Sequence, residues 1–349
     1  MNKIAMMYHT AFFISLIGAS AIICRFLIRR FTIIDIPNAR SSHSGPIPKG
    51  GGIAIVAAFI MGILAALLVA DSSLTAQWYF GGFVFSALLV AAVSLYDDIV
   101  ATSFVFRLAV HTCAASTVIF FGLVIDEFRF PLLGEVHLGY SKYAVTLLWI
   151  VGLTNAFNFM DGINGMAAGS AILAGLFFGI ISFLEGSHLS YIISYSIVAG
   201  CIGFIVFNFP RARLFMGDVG STFLGFVFAS LAIIAALYDY SHTSLLVVPL
   251  LLFHFIFDAF FTFLRRLIKG EDVFQAHRSH LYQLLTRMGC SQTGVSLFYF
   301  SMGLCQGVGA IYMIRVPGDK RVLVFIPFLI FQICYSIVVT VKSKRIGLI

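Results

Sequence analysis

The chain has 349 residues, of which 60% are hydrophobic and 11% are charged. In a soluble domain about half of the residues are apolar and about a quarter are charged, so a soluble protein is excluded. No polar segment is long enough to enclose a core of its own. The composition therefore predicts an all-α fold, a polytopic membrane helical bundle in which residues 1–349 form a single integral membrane domain. The net charge of +7 gives no independent support for nucleic-acid binding.

Apolar runs of the length that a membrane-spanning helix needs, about 20 residues, recur along the chain. Eleven segments qualify when short and interrupted helices are included. They lie near residues 8–28, 51–70, 77–96, 104–125, 143–159, 166–184, 191–209, 222–238, 244–264, 294–314 and 322–341. The sequence thus predicts about 11 transmembrane helices.

The 22 lysine and arginine residues divide unequally between the two sides of these helices. Sixteen lie in one set of connections and six in the other. Because lysine and arginine are enriched in cytoplasmic loops, the set of sixteen is predicted to be cytoplasmic. The N-terminus is then periplasmic and the C-terminus cytoplasmic. This arrangement requires an odd number of helices, which agrees with eleven.

Nearly all the unusual polar clusters fall on connections that are predicted to be cytoplasmic. These connections lie near residues 35–52, 97–107, 155–165, 208–221 and 265–293. On the opposite side, the connection at 126–142 contains a proline and two glycines, and it predicts a small surface turn or a β-hairpin. We therefore expect the active-site loops at the cytoplasmic surface of the membrane.

The stretch 208–221 lies between two apolar runs and combines a helix breaker with a carboxylate. A helix cannot pass smoothly through Pro210, which lacks an N–H and clashes with the preceding turn. Gly217 and Gly220 allow tight backbone geometry beside Asp218. The pattern suggests a site for a phosphorylated ligand. On this stretch alone, an ordinary loop with a helix-capping aspartate is the favoured alternative.

Asp97 and Asp98 are adjacent carboxylates at the predicted cytoplasmic end of the third span. Ionised groups in or near hydrocarbon are costly and tend to be paired or functional. Two like charges this close need a cation nearby, and Arg107 or a divalent metal is the natural partner. A solvated helix C-terminus is the alternative, but the helix dipole disfavours acids there. We therefore interpret the pair as functional.

Asn155, Asn158 and Asp161 recur every three residues and form one polar stripe at the inner end of the fifth span. Asparagine side chains also join neighbouring spans by hydrogen bonds. Taken alone, this structural interpretation and a functional one are evenly matched. Together with Asp218, the carboxamides offer the hard oxygen ligands that suit Mg²⁺.

Further polar residues lie in or beside the first and last cytoplasmic loops. For Asp258, a buried ion pair or hydrogen-bonded strut is favoured over a catalytic role. His277 and His280 have the i, i+3 spacing of metal ligands, but no third ligand has suitable spacing. Arg278 is better suited to phosphate or sugar, because its planar guanidinium matches phosphate oxygens. Lys49 belongs to a loop that we interpret, by default, as a stiff and solvated connection.

Taken together, the motifs resemble the polyprenyl-phosphate N-acetylhexosamine-1-phosphate transferases of glycosyltransferase family 4. The resemblance runs from about residue 35 to residue 285. Its motifs are Tyr96-Asp-Asp-Ile99, Asn155-x-x-Asn-x-x-Asp-Gly-x-x-Gly165, Asn208-x-Pro with Phe215-Met-Gly-Asp-x-Gly-Ser221, and His277-Arg-x-His280. The resemblance implies a UDP-N-acetyl sugar donor, a Mg²⁺ cofactor for which Mn²⁺ can substitute, and transfer of sugar 1-phosphate to undecaprenyl phosphate with release of UMP.

The resemblance also implies roles for single residues. Asp218 and Asn158 would hold the Mg²⁺ ion on the donor diphosphate. Asp97 and Asp98 would lie beside the lipid phosphate and the metal, and would act as catalytic residues together with Asp218. The donor-binding residues would be Arg107 at phosphate, Phe215 and Asn164 at the uracil, Asn155 and Asp161 around the uracil pocket, and His277, Arg278 and His280 over the donor.

Two departures from the family pattern reduce the range of expected donor sugars. The late motif continues as His280-Leu-Tyr-Gln283, where the pentapeptide translocases and several relatives have further histidines. The segment 46–52 lacks the translocases' threonine. Both argue against a muramyl-pentapeptide donor and towards an enzyme that initiates O-antigen or capsule synthesis. Such an enzyme lies in the bacterial inner membrane, with its active site facing the cytoplasm.

For the mechanism, we favour direct in-line displacement with Asp97 orienting the acceptor, over a covalent phosphosugar-aspartate route. The alternative function is a secondary transporter of an anionic or lipid-linked solute, which also has broken helices and intramembrane acids. A transporter is expected to concentrate its acids near the bilayer midplane and to show paired halves. The sequence places the acids at the cytoplasmic edge and shows no inverted repeat. A homodimer is left open.

Overall fold

The computed structural model describes residues 3–30, 33–36, 45–69, 77–131, 134–237, 243–273, 275 and 277–349. They form a helical bundle with two small antiparallel sheets. The helices are α1 (Lys3–Arg30), α2 (Gly52–Val69), α3 (Trp78–Val100), α4 (Phe104–Phe120), α5 (Ser141–Phe159), α6 (Met166–Leu184), α7 (His188–Asn208), α8 (Asp218–Leu237), α9 (Val247–Leu251), α10 (Phe253–Ile268), α11 (Leu281–Arg287), α12 (Gln292–Met313) and α13 (Phe325–Arg345). A 3-10 helix, Gly318–Val324, precedes α13, and the strands are β1 (Ile34–Asp35), β2 (Ile47–Pro48), β3 (Glu127–Phe130) and β4 (Gly134–His137).

Seven helical segments of the described chain are long and apolar enough to cross a membrane. They are α1, α3, α6, α7, α8, α12 and the continuous segment Gly318–Arg345. Helices α2 and α4 are apolar but shorter. The chain is therefore a polytopic helical membrane protein, as its composition predicts.

Helix α8 forms the centre of the bundle. Every residue from Val219 to Ala235 is buried, so neighbouring helices enclose this helix, which is apolar on all sides. Helices α5 and α3 pack along α8. Gly225 permits the close approach of α5, since a Cβ at this position would lie 2.8 Å from the Cα of Thr154. The N-terminus of α8, at Asp218, is thus held in place by its neighbours.

The predicted chain break at Pro210 and the predicted hairpin are confirmed, whereas one predicted span is divided into two helices. Helix α7 ends at Asn208, directly before the Phe209-Pro210 pair, and α8 does not begin until Asp218. The connection at 126–142 forms the predicted β-hairpin, in which β3 pairs with β4. The predicted span at 244–264 is divided at Leu252 into α9 and α10. Pro249 lies in the first turn of α9, where a proline is tolerated because the N–H groups of that turn have no intrahelical partner.

The segment before α2 packs closely against the start of α8. β1 and β2 form a small antiparallel sheet in this segment. Gly52 lies directly against Gly220, because a Cβ on Gly52 would be 2.3 Å from the Gly220 Cα. The predicted cytoplasmic loop at 35–52 is described only in part, since residues 37–44 lie outside the described residues.

Candidate functional site

The ends of four helices meet at one place in the bundle. Helix α3 has two acids in its last turn, α4 has an arginine in its first turn, α5 ends just after an asparagine, and α8 begins with an aspartate. The structure therefore brings together residues that the sequence presents in separate motifs. We call this group the acid cluster, and its members are Lys49, Asp97, Asp98, Arg107, Asn158 and Asp218.

Arg107 lies between two carboxylates of the acid cluster. Its Nη1 donates to the Oδ2 of Asp97 at 3.3 Å and to the Oδ2 of Asp218 at 3.1 Å. The Oδ1 of Asp97 accepts hydrogen bonds from the backbone and the hydroxyl of Thr102, just beyond α3. Asp97 is therefore fixed from both sides, with Oδ2 facing Asp218. The positive charge of Arg107 offsets the repulsion between the two acids.

Asp98 is bound in a different way. Its side chain is fully buried, and its oxygens accept from the backbone N–H groups of Asp218 and Val219 at 3.0 and 3.1 Å. These N–H groups have no partner inside α8, and the positive end of the helix dipole favours a carboxylate there. The Nζ of Lys49 lies 2.7 Å from the Oδ1 of Asp98. Asp98 thus joins α3 to the start of α8 and fixes the position of Asp218.

Lys49 is a member of the site that the sequence analysis assigned to a solvated loop. Burial by itself would lower the pKa of its ammonium group, but the charges of Asp218 and Asp98 outweigh burial and raise that pKa above its ordinary value. Lys49 therefore remains protonated at neutral pH and supplies a second positive charge. Its partners lie far along the chain, so no local pattern indicates this role.

The oxygen atoms of the acid cluster suit a hard divalent cation. The side chain of Asn158 reaches the Asp218 carboxylate, and its amide nitrogen also donates to the Oγ of Ser221 at 2.9 Å. The amide oxygen of Asn158 is then the atom that can serve as a ligand. Carboxylate and carbonyl oxygens are preferred by Mg²⁺, which usually retains waters and shares substrate phosphates. The predicted ligand pair therefore fits the ion.

A cleft of about 370 Å³ opens beside the acid cluster. Arg107 and Asn158 belong to both, so the cleft and the acid cluster are one continuous site. The opposite wall comes from α10, α11 and the loop between them. The polar residues that line the cleft are Arg107, Asn158, Asp161, Arg266, Gln275, His277, His280, Tyr282 and Gln283. The structure thus brings three predicted donor-binding residues, Asp161, His277 and His280, to the acid cluster.

Two groups of the cleft have displaced pKa values. Burial raises the pKa of Asp161 well above the ordinary value of a carboxyl group, and the charge of Asp218 raises it further. Burial lowers the pKa of His277 to about 3, and the neighbouring His280 and Arg266 act in the same direction. His277 is therefore neutral at pH 7, and Arg266 on this wall is paired with Glu271.

Four other predicted donor-binding residues do not line the cleft. Asn155 lies one turn deeper in α5 and donates to a carbonyl of its own helix. Asn164 donates to the carbonyl of Pro210 at 3.2 Å. Phe215 pairs through its backbone with the segment before α2, and Arg278 lies in the loop before α11. Their predicted contacts with a donor stay predictions.

His111 is a further residue of the site that the motifs did not indicate. It lies one turn after Arg107 on α4, is 4% exposed, and lies near the side chain of Asn155. Its Nδ1 is buried and makes no hydrogen bond within the part of the chain that the structure describes. The i, i+4 spacing from Arg107 is the signal that could have indicated it, because such residues share a helix face.

Known proteins resemble this chain over most of its length. The family model Glycosyl transferase family 4 matches residues 80–236. A Bacillus subtilis (strain 168) protein, "Probable undecaprenyl-phosphate N-acetylglucosaminyl 1-phosphate transferase", is 29% identical over 343 residues, which cover 96% of this chain and 93% of that protein. The "Decaprenyl-phosphate N-acetylglucosaminephosphotransferase" of Mycobacterium leprae (strain TN) is 30% identical over 326 residues, which cover 82% of this chain and 80% of that protein.

A second group of similar proteins matches a much shorter region. A "Phospho-N-acetylmuramoyl-pentapeptide-transferase" from Streptococcus pneumoniae serotype 2 is 34% identical over 111 residues. These residues cover 32% of this chain and 33% of that protein. The chain is therefore similar to the N-acetylglucosamine phosphotransferases over a longer region than to the muramoyl-pentapeptide transferase.

Proposed function

The chain belongs to the family of polyprenyl-phosphate N-acetylglucosamine-1-phosphate transferases, and on that basis we propose that it transfers an N-acetylhexosamine 1-phosphate from a UDP-sugar to undecaprenyl phosphate. The products would be UMP and an undecaprenyl-diphosphate-sugar, which makes the protein a phosphotransferase, and we propose that it uses Mg²⁺. The observation that carries the proposal is the position of Arg107, which pairs with Asp97 and Asp218 at the edge of a polar cleft.

UDP-N-acetylglucosamine is the donor that we propose first. Two similar proteins that match most of this chain carry N-acetylglucosamine in their names, whereas the muramoyl-pentapeptide protein matches about a third of it. The late motif His280-Leu-Tyr-Gln283 supports the same choice. In the structure, Tyr282 and Gln283 of this motif line the cleft wall.

The reaction must bring two phosphorylated anions together. A phosphate monoester has a second pKa of about 6, so the acceptor is largely a dianion at neutral pH and needs no strong base. An acceptor oxygen attacks the β-phosphorus of the donor. The bond from that phosphorus to the oxygen bridging the α-phosphate breaks, and UMP leaves with the electron pair. Arg107 and Lys49 lower the repulsion between the reactants.

The residues of the acid cluster divide this work. The Oδ2 of Asp97 faces the site and would orient the acceptor phosphate and take up any residual proton. Asp98 would act as a positioning residue, because its oxygens are bound to the start of α8 and to Lys49. When bound, Mg²⁺, or Mn²⁺ in its place, neutralises charge on the donor diphosphate, and Asp218 and Asn158 would hold it.

The membrane arrangement that we propose has eleven spans in the bacterial inner membrane. The N-terminus is periplasmic, the C-terminus is cytoplasmic, and the acid cluster faces the cytoplasm. The excess of lysine and arginine on the connections near the acid cluster supports this orientation. The polyprenyl tail would lie in the bilayer between helices. The reaction would be the first membrane step of a cell-surface polysaccharide such as O-antigen.

Purified protein with defined substrates tests the proposed function. The protein is incubated with undecaprenyl phosphate, Mg²⁺ and a panel of UDP-N-acetyl sugars, and released UMP is measured. We expect UMP with UDP-N-acetylglucosamine, and none when the lipid phosphate is left out. UMP at background level with every donor would contradict the proposal. Inversion of configuration at phosphorus would support direct displacement and exclude a covalent aspartyl intermediate.

A further inference from the structure

A buried carboxylate lies behind the cleft. Asp258 is in the middle of α10 and is 1% exposed. Its oxygens accept hydrogen bonds from the backbone N–H groups of Leu281 and Tyr282, the hydroxyls of Thr262 and Tyr299, and the ring of His280. Burying a charge is costly unless its hydrogen-bonding capacity is filled, and here five donors fill it.

Two of these hydrogen bonds hold the start of α11. Leu281 and Tyr282 are the first residues of that helix, and their N–H groups lie 2.9 and 3.3 Å from the carboxylate oxygens. Such N–H groups have no partner inside their own helix. Asp258 therefore fixes α11 against α10.

The same carboxylate holds the ring of His280 by one nitrogen. The Nδ1 of His280 is 3.3 Å from the Oδ1 of Asp258. Because an ionised carboxylate can only accept, this nitrogen carries the proton. Phe159 and His277 flank the ring, with centroids 5.7 and 4.9 Å away. His280 lines the cleft, so Nε2 is the nitrogen that remains for a ligand.

We propose that Asp258 is a positioning residue of the transfer site, which holds the Nδ1–H of His280 and thereby presents Nε2 to the nucleotide-sugar donor. This inference rests on the proposed function. A carboxylate that only capped α11 would need backbone partners alone, whereas the bond to the ring reaches the cleft. Tyr299 donates to the Oδ2 of Asp258 at 2.8 Å, and Tyr335 lies 3.2 Å from the Tyr299 hydroxyl. Tyr299 therefore holds the carboxylate through its other oxygen, and Tyr335 contacts Tyr299.

A double-mutant cycle tests whether Asp258 acts through His280. The constants kcat and KM are measured for UDP-N-acetylglucosamine with undecaprenyl phosphate. Asp258→Asn and His280→Gln should each lower kcat/KM by about tenfold to a hundredfold. The double variant should lie within about threefold of the less active single variant. Losses that multiply in the double variant would overturn the proposal, because they would show that Asp258 acts independently of His280.

Tyr299→Phe is the matched control for this cycle. It removes one hydrogen bond from the same carboxylate but leaves the bond to His280 in place. We expect it to keep at least about half of the wild-type kcat/KM, because the bond from the carboxylate to the His280 ring and the bonds to the start of α11 remain. A loss as large as that of Asp258→Asn would count against the proposal, because any disturbance of the carboxylate would then be sufficient.

The protonation of His280 provides a readout that needs no turnover. Protein with ¹⁵N in its histidine rings is studied by NMR at pH 8, and the His280 signals are assigned by their loss in His280→Gln. We expect the proton on Nδ1 in the wild-type protein, and a bare Nδ1 would overturn the proposal. Because this measurement requires neither activity nor an Asp258 variant, it separates failure of this inference from failure of the proposed function.

Discussion

Single residues of the acid cluster are bound to more than one partner, so their effects are coupled. Arg107 contacts two carboxylates, and Lys49 pairs with Asp98 while its charge also acts on Asp218. Removing one partner of a buried charged pair leaves the other uncompensated, which costs more than the pair contributes. The choice of substitution therefore decides whether an experiment reports on chemistry or on folding.

Asp218→Asn is expected to abolish turnover while the protein stays folded. The variant keeps the size of the side chain, and Arg107 keeps its contact with Asp97. Loss of the carboxylate removes the proposed metal ligand, so UMP release should fall by about a thousandfold or more. Asp126→Asn is the control, because Asp126 forms an exposed ion pair with Lys142 and should keep full activity. Full activity in Asp218→Asn would remove Asp218 from the metal role.

His277 should make the stability of the protein depend on pH. Its pKa is about 3 in the folded protein and 6.5 as the ordinary value, so only the unfolded chain binds the proton between these values. Protonation then favours unfolding, and the free energy of unfolding falls as the pH is lowered from about 6.5 towards 3. His277→Asn cannot bind this proton. Its thermal midpoint should fall less than that of the wild type between pH 7 and pH 5, and equal falls would contradict the argument.

At the scale of elements, residues from three separate segments meet at the first turn of α8. Asp98 reaches it from α3, Lys49 from the end of β2, and Gly217 lies directly before it. Gly217 has a φ of +79°, and a Cβ there would lie 2.5 Å from the Oδ2 of Asp98. The contact between Asp98 and α8 therefore requires a residue without a Cβ at position 217.

Gly217→Ala should lower activity, whereas Gly270→Ala should not. Both glycines have a positive φ, so each alanine should cost about 1 kcal/mol of stability. Around Gly270 nothing lies within 4 Å of the added Cβ, while at Gly217 the Cβ displaces Asp98. We expect kcat to fall about tenfold or more in Gly217→Ala and to stay unchanged in Gly270→Ala. UMP release and thermal midpoints are measured on both, and equal activities would contradict the role given to Asp98.

Elements set by local chemistry could be predicted from the sequence. The chain break after Asn208 follows from Pro210, and the hairpin after α4 follows from its proline and glycines. That Asp97, Arg107, Asn158 and Asp218 would share one site followed from their placement on one predicted side of the membrane.

Roles that depend on distant partners could not be predicted in the same way. Lys49 gave only the pattern of a solvated loop, because Asp98 reaches it only in the folded bundle. The two neighbouring acids, Asp97 and Asp98, are alike in sequence, yet one faces the site and the other caps a helix. His111 and Asp258 likewise find their partners on other elements, at Asn155 and His280.

On the scale of the whole molecule, the acid cluster and the β3–β4 hairpin lie at opposite ends of the bundle. Helix α4 leads from Arg107 towards the hairpin, and α5 returns from it to Asn158. A helix of 17 residues is about 25 Å long, close to the thickness of the hydrocarbon core. The acids lie at helix ends, whereas a transporter is expected to have its polar breaks near the midplane.

Cysteine labelling should place these two ends in different compartments. Cys290 is exposed in the loop after α11. In a variant that keeps only this cysteine, a membrane-impermeant maleimide should react after permeabilisation but not in intact cells. Glu135→Cys in an otherwise cysteine-free variant should react in intact cells, because the hairpin is proposed to be periplasmic. Labelling of both cysteines in intact cells, or of Cys290 alone, would contradict the proposed orientation.

The fate of the donor's β-phosphate tests the central claim most directly. Purified protein, Mg²⁺ and undecaprenyl phosphate are incubated with UDP-N-acetylglucosamine that carries ³²P in its β-phosphate. Sugar-1-phosphate transfer predicts that the label moves into an organic-soluble diphosphate lipid in the same amount as unlabelled UMP appears, and that Asp218→Asn blocks both. Label that stays with the nucleotide while the sugar moves to the lipid would contradict the account.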